Sequence, residues 1–258
     1  MNPAIVVTGA ASGIGRELSR VAARERTAMV LIDRSQQGLD ELAAEFASLG
    51  LETRVALIDL VDCDAGQLTE TALSQLGLYC DVLVNCAGFG VFGPAAEADR
   101  EQQLGLLDVN ARALTDLTLR FLPGMIARRQ GGILNVGSIT GFMPGPNMAA
   151  YHASKAYVRS FTAALAAEVA ATGVTVTCLS PGIVLTAFFQ HVAFNRTRLA
   201  KLLPRATARD TAEAGWRAFR AGKRLAIPGL VNKIIVWGCS LVPDALLLRL
   251  ISALQRPR

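Results

Sequence analysis

Short apolar runs alternate with longer amphipathic segments along the first 180 residues of the chain. The runs are rich in β-branched residues, which predicts strands, and the segments between them repeat apolar residues every three or four positions, which predicts helices. Three runs, AIVVT, AMVLID and DVLVN, are almost continuously apolar, as is typical of parallel strands that are covered on both faces. The pattern predicts six strands, at residues 4–8, 28–33, 53–58, 81–85, 132–138 and 174–180.

Strands that alternate with helices predict an α/β fold in which a doubly wound parallel sheet lies between two layers of helices, the three-layer Rossmann arrangement. No repeat, low-complexity tract or linker interrupts the 258 residues, so we expect one domain over residues 1–258. The alternation stops after Ser180. We therefore expect residues 187–258 to form a variable substrate lid and a basic, apolar, helical C-terminal addition.

The composition supports a large core and excludes a disordered chain, because 52% of the residues are hydrophobic and 18% are charged. The net charge of +5 is unevenly distributed. Residues 1–189 contain 13 basic and 18 acidic residues, a balance of −5, and residues 190–258 contain 13 and 3, a balance of +10. The basic part has no Lys/Arg run and no motif of a DNA or RNA module, so we expect no nucleic-acid partner.

The basic C-terminal segment has two interpretations. Its apolar positions repeat with helical spacing, and Pro243 followed by Asp244 predicts the start of a second short helix. Such helices pack as a lid or subunit interface with the charged ends in water, or they lie on an anionic membrane surface. The longest charge-free stretch, residues 234–243, is half of the roughly 20 residues that a membrane-spanning helix needs.

The five cysteines are widely spaced and form no CxxC motif, which is typical of free thiols in a reducing compartment. The N-terminus has no basic region before its short apolar run, so we expect a first strand and no signal peptide. Together these features predict a cytoplasmic protein, with peripheral membrane contact as the alternative. We expect no metal site.

The first predicted strand continues into TGAASGIG, in which Gly9, Gly13 and Gly15 surround the start of a helix near Ser12. Glycines let main-chain amides approach a pyrophosphate, and the helix N-terminus supplies partial positive charge. A tight turn also requires glycine, so this motif alone is weak evidence for a dinucleotide site.

The second predicted strand ends at Asp33, about 20 residues after the glycine turn, where a carboxylate accepts hydrogen bonds from an adenosine ribose. The same carboxylate repels a 2′-phosphate, which favours NAD over NADP. Arg34 follows directly and offsets part of that repulsion, so NADP remains the alternative. The third and fourth strands end at Asp59 and at NCAG, residues 85–88, on the same edge of the sheet.

Ser138, at the end of the fifth strand, precedes YHASK, in which Tyr151 and Lys155 stand one helical turn apart on one face. A nearby cation favours the phenolate, so we expect the lysine to lower the pKa of the tyrosine toward working pH. The serine hydroxyl would hydrogen-bond the substrate oxygen. Lys155 is the only lysine in the first 200 residues, whereas 22 of the 26 basic residues are arginines, which favours a chemical role.

These motifs together resemble those of the short-chain dehydrogenase/reductase family. TGAASGIG is similar to the family's cofactor loop, NCAG to its motif after the fourth strand, and Ser138, Tyr151 and Lys155 to its catalytic residues, 13 positions separating serine from tyrosine. The resemblance covers residues 4–190. It adds Asn110, in DVNARAL, as a fourth catalytic residue that supports the lysine through a water. One departure is Cys86, where the family often has asparagine.

The resemblance implies hydride transfer between a nicotinamide cofactor and a carbonyl or secondary alcohol. It also implies that PGIVLT, residues 181–186, holds the nicotinamide amide. The expected cofactor contacts are Gly9, Ser12, Gly13, Ile14, Gly15, Asp33, Arg34, Asp59, Leu60, Asn85, Ala87, Gly88, Tyr151, Lys155, Pro181, Gly182, Ile183 and Thr186.

The substrate is expected to be a medium or large hydrophobic carbonyl compound or alcohol, because Phe142, Phe188 and Phe189 stand near the predicted site. A core-packing segment would have the same composition. A 3-ketoacyl reductase acting on carrier-protein or CoA substrates is the alternative, in which Arg128 and Arg129 would meet an acidic carrier. These arginines also suit a helix C-terminus.

A non-catalytic dinucleotide-binding sensor or scaffold is the alternative from another class, since the fold alone permits it. The complete set of catalytic residues argues against it, because a sensor needs only to bind. The resemblance further implies a homodimer or homotetramer.

Overall fold

The six predicted strands are present in a computed structural model, which describes residues 1–186 and 203–255. Their ends differ from the predicted ones by three residues or fewer. The strands are β1 (Asn2–Thr8), β2 (Ala28–Asp33), β3 (Thr53–Leu57), β4 (Leu78–Asn85), β5 (Gly132–Val136) and β6 (Thr175–Leu179).

Three two-residue strands follow in the C-terminal part, namely β7 (Ile183–Val184), β8 (Arg205–Ala206) and β9 (Leu225–Ala226). The main sheet is parallel throughout, and its strands lie side by side in the order β3-β2-β1-β4-β5-β6-β9. β7 and β8 form a separate parallel pair, in which Ile183 is opposite Arg205. The Rossmann prediction is therefore confirmed, and β9 is a seventh strand that the sequence pattern did not indicate.

Helices connect successive strands and cover both faces of the sheet. They are α1 (Gly13–Ala22), α2 (Gln36–Ser48), α3 (Ala65–Gln75), α4 (Arg100–Leu107), α5 (Leu114–Arg128), α6 (Ala149–Glu168), α7 (Ala208–Arg220), α8 (Leu230–Leu241) and α9 (Asp244–Gln255). A π-helical segment, Asp108–Ala113, joins α4 to α5.

The core consists of two apolar layers, one on each face of the sheet. One layer packs side chains of α3, α5 and α6, such as Leu117 and Leu165, against β1 and β4. The other packs side chains of α1, α2 and α7, such as Leu18, Phe46 and Phe219, against the opposite face. Two-sided burial is the reason that the central strands are continuously apolar.

The order of the strands reverses between β1 and β4, so the connections that leave these two strands turn away from each other. In doubly wound sheets a ligand lies in the crevice that this reversal opens. β1 and β4 pair in register from Ile5 opposite Val82 to Thr8 opposite Asn85, so the glycine turn after β1 stands beside the NCAG segment after β4.

The start of a helix at Asp244 is confirmed, because α8 ends at Leu241 and α9 begins at Asp244. α8 packs against the segment after β6. A β-carbon added at Gly182 would stand 2.4 Å from the side-chain oxygen of Asn232, a buried residue of α8. This absence of a side chain at Gly182 lets the C-terminal helices come close to the sheet edge.

Among the described residues, no helix is both long and apolar enough to cross a bilayer. All five cysteines lie within the described ranges, and each is a free thiol.

Candidate active site

A cavity of about 520 Å³ opens at the carboxyl edge of the sheet, at the reversal of the strand order. Its floor consists of the turns after β1 to β6, and its far wall comes from α8 and α9. A cavity of this size suits a small molecule or cofactor, for which roughly 300–1,000 Å³ is usual.

The glycine turn has the close packing that a dinucleotide site requires. Gly9 has a positive φ of 67°, and a β-carbon there would lie 2.8 Å from the α-carbon of Ala87. A β-carbon at Gly15 would lie within 2.1 Å of the carbonyl oxygen of Gly9. Glycine is therefore required at both positions, and the N-terminus of α1 is left open toward the cavity.

Asp33 is fixed at the end of β2 by two main-chain amides. Ala11 donates to its Oδ2 at 3.0 Å, and Ser35 donates to its Oδ1 at 3.0 Å. Asp33 and Arg34 both line the cavity. The carboxylate therefore has a set orientation at the place where an adenosine ribose would lie.

The ends of β3 and β4 complete this side of the cavity. Asp59, Leu60, Ala87 and Gly88 all contribute to its lining. The turn after β4 is held by Thr8, whose hydroxyl accepts hydrogen bonds from the amides of Cys86, at 3.1 Å, and Ala87, at 3.2 Å. Sequence reasoning did not identify this role of the threonine.

Asn110 lies in the π-helical segment, and π-helical turns are frequent at functional sites. Its Oδ1 accepts from the Phe89 amide at 3.1 Å, and its Nδ2 donates to the Phe89 carbonyl at 3.0 Å and to Ser154 Oγ at 3.1 Å. A β-carbon at Gly88 would stand 2.8 Å from Asn110 Oδ1 and 3.5 Å from Lys155 Nζ. Asn110 and Lys155 therefore flank the same glycine.

Ser138, Tyr151 and Lys155 line the cavity together, and all three are buried. The Ser138 side chain accepts from the Thr140 amide at 3.1 Å, and its hydroxyl also hydrogen-bonds Tyr151. Lys155 donates to the Val136 carbonyl at 2.9 Å, and its Nζ lies 5.9 Å from the centroid of the Tyr151 ring.

Burial dominates the ionisation of this group. Burial raises the pKa of Tyr151 to about 12, although hydrogen bonding with Ser138 and Thr140 opposes the rise. Burial also lowers the pKa of Lys155 to about 8. The expectation that the lysine lowers the tyrosine pKa is therefore wrong for this structure, because the largest influence on Tyr151 is its removal from water, which disfavours the phenolate.

The segment after β6 closes the cavity from above. Pro181, Gly182, Ile183 and Thr186 line it. A β-carbon at Gly13 would meet the Thr186 methyl group at 3.1 Å, so this segment lies directly over the glycine turn.

Another part of the cavity lining is apolar. It includes Met143 and Met148 and, from the C-terminal helices, Ile235, Cys239, Leu247, Leu250, Ile251 and Leu254. The sequence predicts a substrate lid in this part of the chain. It does not identify these C-terminal side chains individually, because helical periodicity does not indicate which apolar face meets a cavity.

His152 also lines the cavity and was missed. Its Nδ1 bonds the Met143 carbonyl at 2.9 Å, so Nδ1 carries the proton when the ring is neutral. Burial lowers the pKa of His152, which favours that neutral ring.

Two predicted contacts are corrected. Asn85 does not line the cavity; its Nδ2 donates to Thr118, at 3.2 Å, and to Asn135, at 2.9 Å, within the core. Phe142 is also absent from the lining, because its ring lies under the guanidinium of Arg159, 4.7 Å from the ring centroid. Phe188 and Phe189 lie outside the described residues.

Comparison with known proteins decides the family. The sequence model of the short chain dehydrogenase family matches residues 3–196. The chain belongs to this family. It is thus a short-chain dehydrogenase/reductase, an oxidoreductase that uses a nicotinamide dinucleotide.

Individual family members agree with this assignment. An uncharacterized oxidoreductase of Staphylococcus epidermidis is 31% identical over 194 residues, which cover 75% of this chain and 83% of that protein. The structure is similar to a short-chain dehydrogenase from Sphingobium yanoikuyae in complex with NADPH, with a TM-score of 0.81, 25% identity and coverage of 94% and 97% of the two chains. It is also similar to a 3-ketoacyl-(acyl-carrier-protein) reductase from Brucella melitensis complexed with NADH, with a TM-score of 0.73, 28% identity and coverage of 88% and 97%.

Proposed function

We propose that this dehydrogenase/reductase interconverts a hydrophobic carbonyl compound and its secondary alcohol, with Tyr151 as the general acid and base. The observation that carries the proposal is that Ser138, Tyr151 and Lys155 line one cavity together with a large set of apolar side chains. A substrate held by those apolar side chains would present its oxygen to the hydroxyl groups.

The protonation states suit the direction of reduction. With a pKa raised to about 12 by burial, Tyr151 is protonated at neutral pH and has a proton to give to a developing alkoxide. The Ser138 hydroxyl, held beside Tyr151 by the Thr140 amide, would donate to the developing negative oxygen of a bound substrate. Lys155 would hold the nicotinamide ribose, and Asn110, as the family resemblance implies, would support the lysine through a water.

The residues that would hold the cofactor fit a dinucleotide, because the glycine turn is open at the N-terminus of α1 and Asp33 is oriented into the adenosine side of the cavity. When bound, NAD(P) supplies or accepts the hydride. NAD is the favoured form, since a carboxylate with a fixed orientation repels a 2′-phosphate. Arg34 in the same lining keeps NADP as the alternative.

A 3-ketoacyl reductase is the second candidate, favoured by the similarity to the Brucella enzyme. The proposed carrier contact through Arg128 is weakened by the structure. Arg128 donates to the Cys80 carbonyl at 3.0 Å, and its guanidinium lies 4.1 Å from the centroid of the Tyr79 ring. A structural role accounts for this side chain.

The experiment that tests the function measures oxidation of NADH and NADPH by the purified protein with a panel of carbonyl compounds. We expect bulky apolar ketones to be turned over faster than small hydrophilic sugars, and NADH to be preferred. Faster turnover of 3-ketoacyl thioesters would favour the second candidate. Tight cofactor binding without turnover of any compound would instead support a dinucleotide-binding sensor or scaffold.

We further propose that the protein is a cytoplasmic homodimer or homotetramer, as its family resemblance implies, with residues 1–258 as one domain. Sedimentation velocity of the purified protein measures the number of subunits directly.

A further inference from the structure

The outward face of α8 carries a row of exposed apolar side chains. Leu230, Ile234, Trp237 and Leu241 recur at helical spacing, and between 56% and 73% of each is exposed. We call these four residues the α8 stripe. The neighbouring helix α9 adds Leu246, which is 59% exposed and does not line the cavity. Contiguous apolar surface of this kind marks an interaction site rather than ordinary surface.

The inward faces of the same helices are already in use. Ile235 and Cys239 of α8 and Leu247 and Ile251 of α9 line the cavity. The helix pair therefore forms a wall, only one helix thick, between the cavity and the exposed apolar surface. Rotating either helix to bury the exposed face would remove the wall of the cavity.

Cations accompany the apolar stripe. Lys233 stands one turn from Leu230 and Trp237, and Arg249 occupies α9; both are exposed. From residue 230 to residue 258 the sequence contains four basic residues, Lys233, Arg249, Arg256 and Arg258, and one acidic residue, Asp244. Within residues 1–186 and 203–255, neither Lys233 nor Arg249 forms an ion pair.

Three properties of this face match a lipid surface whose headgroups are anionic. A helix lying in the interface places apolar side chains among the acyl chains and extends lysine or arginine toward the headgroups. Tryptophan favours the same interfacial depth. In a two-fold interface between copies of this chain, Lys233 would instead be buried among apolar groups, and lysine is depleted in such interfaces.

We propose that the α8–α9 face docks on an anionic membrane surface, with the α8 stripe entering the acyl region and Lys233 and Arg249 at the phosphates. The docked helices would place the apolar wall of the cavity next to the bilayer. A membrane-dissolved substrate would then reach the cavity without crossing water. Docking itself does not depend on the proposed reaction, because it is measured without turnover.

The chain contains its own reporter for this test. It has two tryptophans, of which Trp216 is buried with 6% exposure and Trp237 is 67% exposed. Vesicles of phosphatidylcholine and phosphatidylglycerol should therefore shift the emission of the full-length protein to shorter wavelength. Vesicles of phosphatidylcholine alone should shift it less. Trp237→Phe should abolish the shift while the protein still co-sediments with the anionic vesicles.

Two matched substitutions to glutamate distinguish the contribution of the α8 stripe from that of exposed leucines elsewhere. Ile234→Glu should lower the partition coefficient for anionic vesicles by at least about tenfold, since it removes apolar burial and adds repulsion. Leu68→Glu, at a comparably exposed position on α3, should leave it unchanged. Lys233→Gln with Arg249→Gln should reduce both the partition coefficient and its salt dependence. Circular dichroism melts verify that each variant is folded.

The proposal is overturned if the protein partitions equally onto neutral and anionic vesicles, or onto neither. It is also overturned if sedimentation velocity shows that Ile234→Glu dissociates an oligomer while the parent protein does not bind vesicles. That second result would assign the α8 stripe to a contact between copies of the chain.

Discussion

Lys155 donates a hydrogen bond from its side-chain Nζ to the main-chain carbonyl oxygen of Val136 at a distance of 2.9 Å. This bond holds a buried cation at the end of β5, two residues before Ser138. A buried ammonium that is held by a neutral carbonyl costs stability, and that cost is measurable as a dependence on pH.

The free energy of unfolding should rise with pH between about pH 8 and pH 10 because of Lys155. Burial lowers its pKa to about 8, whereas the ordinary value is 10.5. In that interval the unfolded chain binds more protons than the folded one, so raising the pH favours the folded state. Lys155→Met removes this contribution, and the difference between the two proteins isolates it from the buried thiols.

Urea unfolding at pH 8 and pH 10 measures the effect. The parent protein should gain stability relative to Lys155→Met as the pH rises, and Lys155→Met should also have no activity. An equal change in both proteins would show that the folded-state pKa of the lysine is not lowered.

Tyr151→Phe should abolish turnover and preserve cofactor binding, because it removes only the hydroxyl that transfers the proton. We expect a loss of at least about a hundredfold in kcat, within the usual contribution of a general acid or base. Tyr157→Phe is the control on the same helix, since Tyr157 is 41% exposed and hydrogen-bonds Thr115 away from the cavity. Steady-state rates and fluorescence titration with NADH measure the two properties. Normal turnover of Tyr151→Phe would refute the mechanism.

Gly9→Ala should lose cofactor binding and much stability, whereas Gly50→Ala should lose only the stability that its backbone strain costs and no binding. Both positions have nearly the same positive φ, 67° and 66°, so both substitutions carry a similar backbone strain of about 1–2 kcal/mol. Only at position 9 would the new β-carbon collide with Ala87, at 2.8 Å, while nothing lies within 4 Å of position 50. Urea unfolding and NADH titration of the pair separate the collision from the strain. Equal effects would show that the close approach is not required.

Asp33→Ser should move cofactor preference toward NADPH by at least about tenfold in the ratio of kcat/KM values, which corresponds to roughly 1.4 kcal/mol. The substitution removes a carboxylate that Ala11 and Ser35 hold in a fixed orientation, and leaves Arg34 to meet a 2′-phosphate. Asp40→Asn, which removes an exposed carboxylate on α2, is the control. An unchanged ratio would show that Asp33 does not select the cofactor.

Leu247→Ala should raise KM for a bulky apolar ketone by about tenfold, because it shortens a side chain of the apolar wall. KM for a small ketone should change much less. The neighbouring Leu248 is 37% exposed on the outside of α9, so Leu248→Ala should leave both values unaltered. Equal changes in KM for both ketones would indicate that the wall does not select the substrate.

Elements that the sequence predicts have a distinct hydrophobic pattern, and elements that it does not predict lack one. β1, β2 and β4 were predictable because burial on both faces makes a strand apolar along its whole length. β9 was not, since the two residues Leu225 and Ala226 are too few to show a period. The π-helical segment gave no signal either, because its sequence continues the helical periodicity of the flanking helices.

The site shows the same division. The glycine turn, Asp33 and the Ser138, Tyr151 and Lys155 set could be predicted to lie together, and they line one cavity, because the proposed chemistry restricts residue type and spacing. The orientation of the Phe142 side chain could not be predicted, because it depends on a tertiary contact between its ring and the Arg159 guanidinium. The pKa of Tyr151 was wrongly expected to fall, because the degree of burial is a property of the folded chain and not of the spacing of two residues.

Different stretches of the chain supply the polar and the apolar parts of the cavity. The glycine turn and the Ser138, Tyr151 and Lys155 set lie between Gly9 and Lys155, whereas much of the apolar wall comes from α8 and α9, after residue 229. Changes in the sequence of α8 and α9 would therefore alter which substrate the cavity accepts, without changing the residues proposed for proton transfer. An exchange of this C-terminal stretch between relatives would transfer substrate range as a unit and leave the chemical step in place.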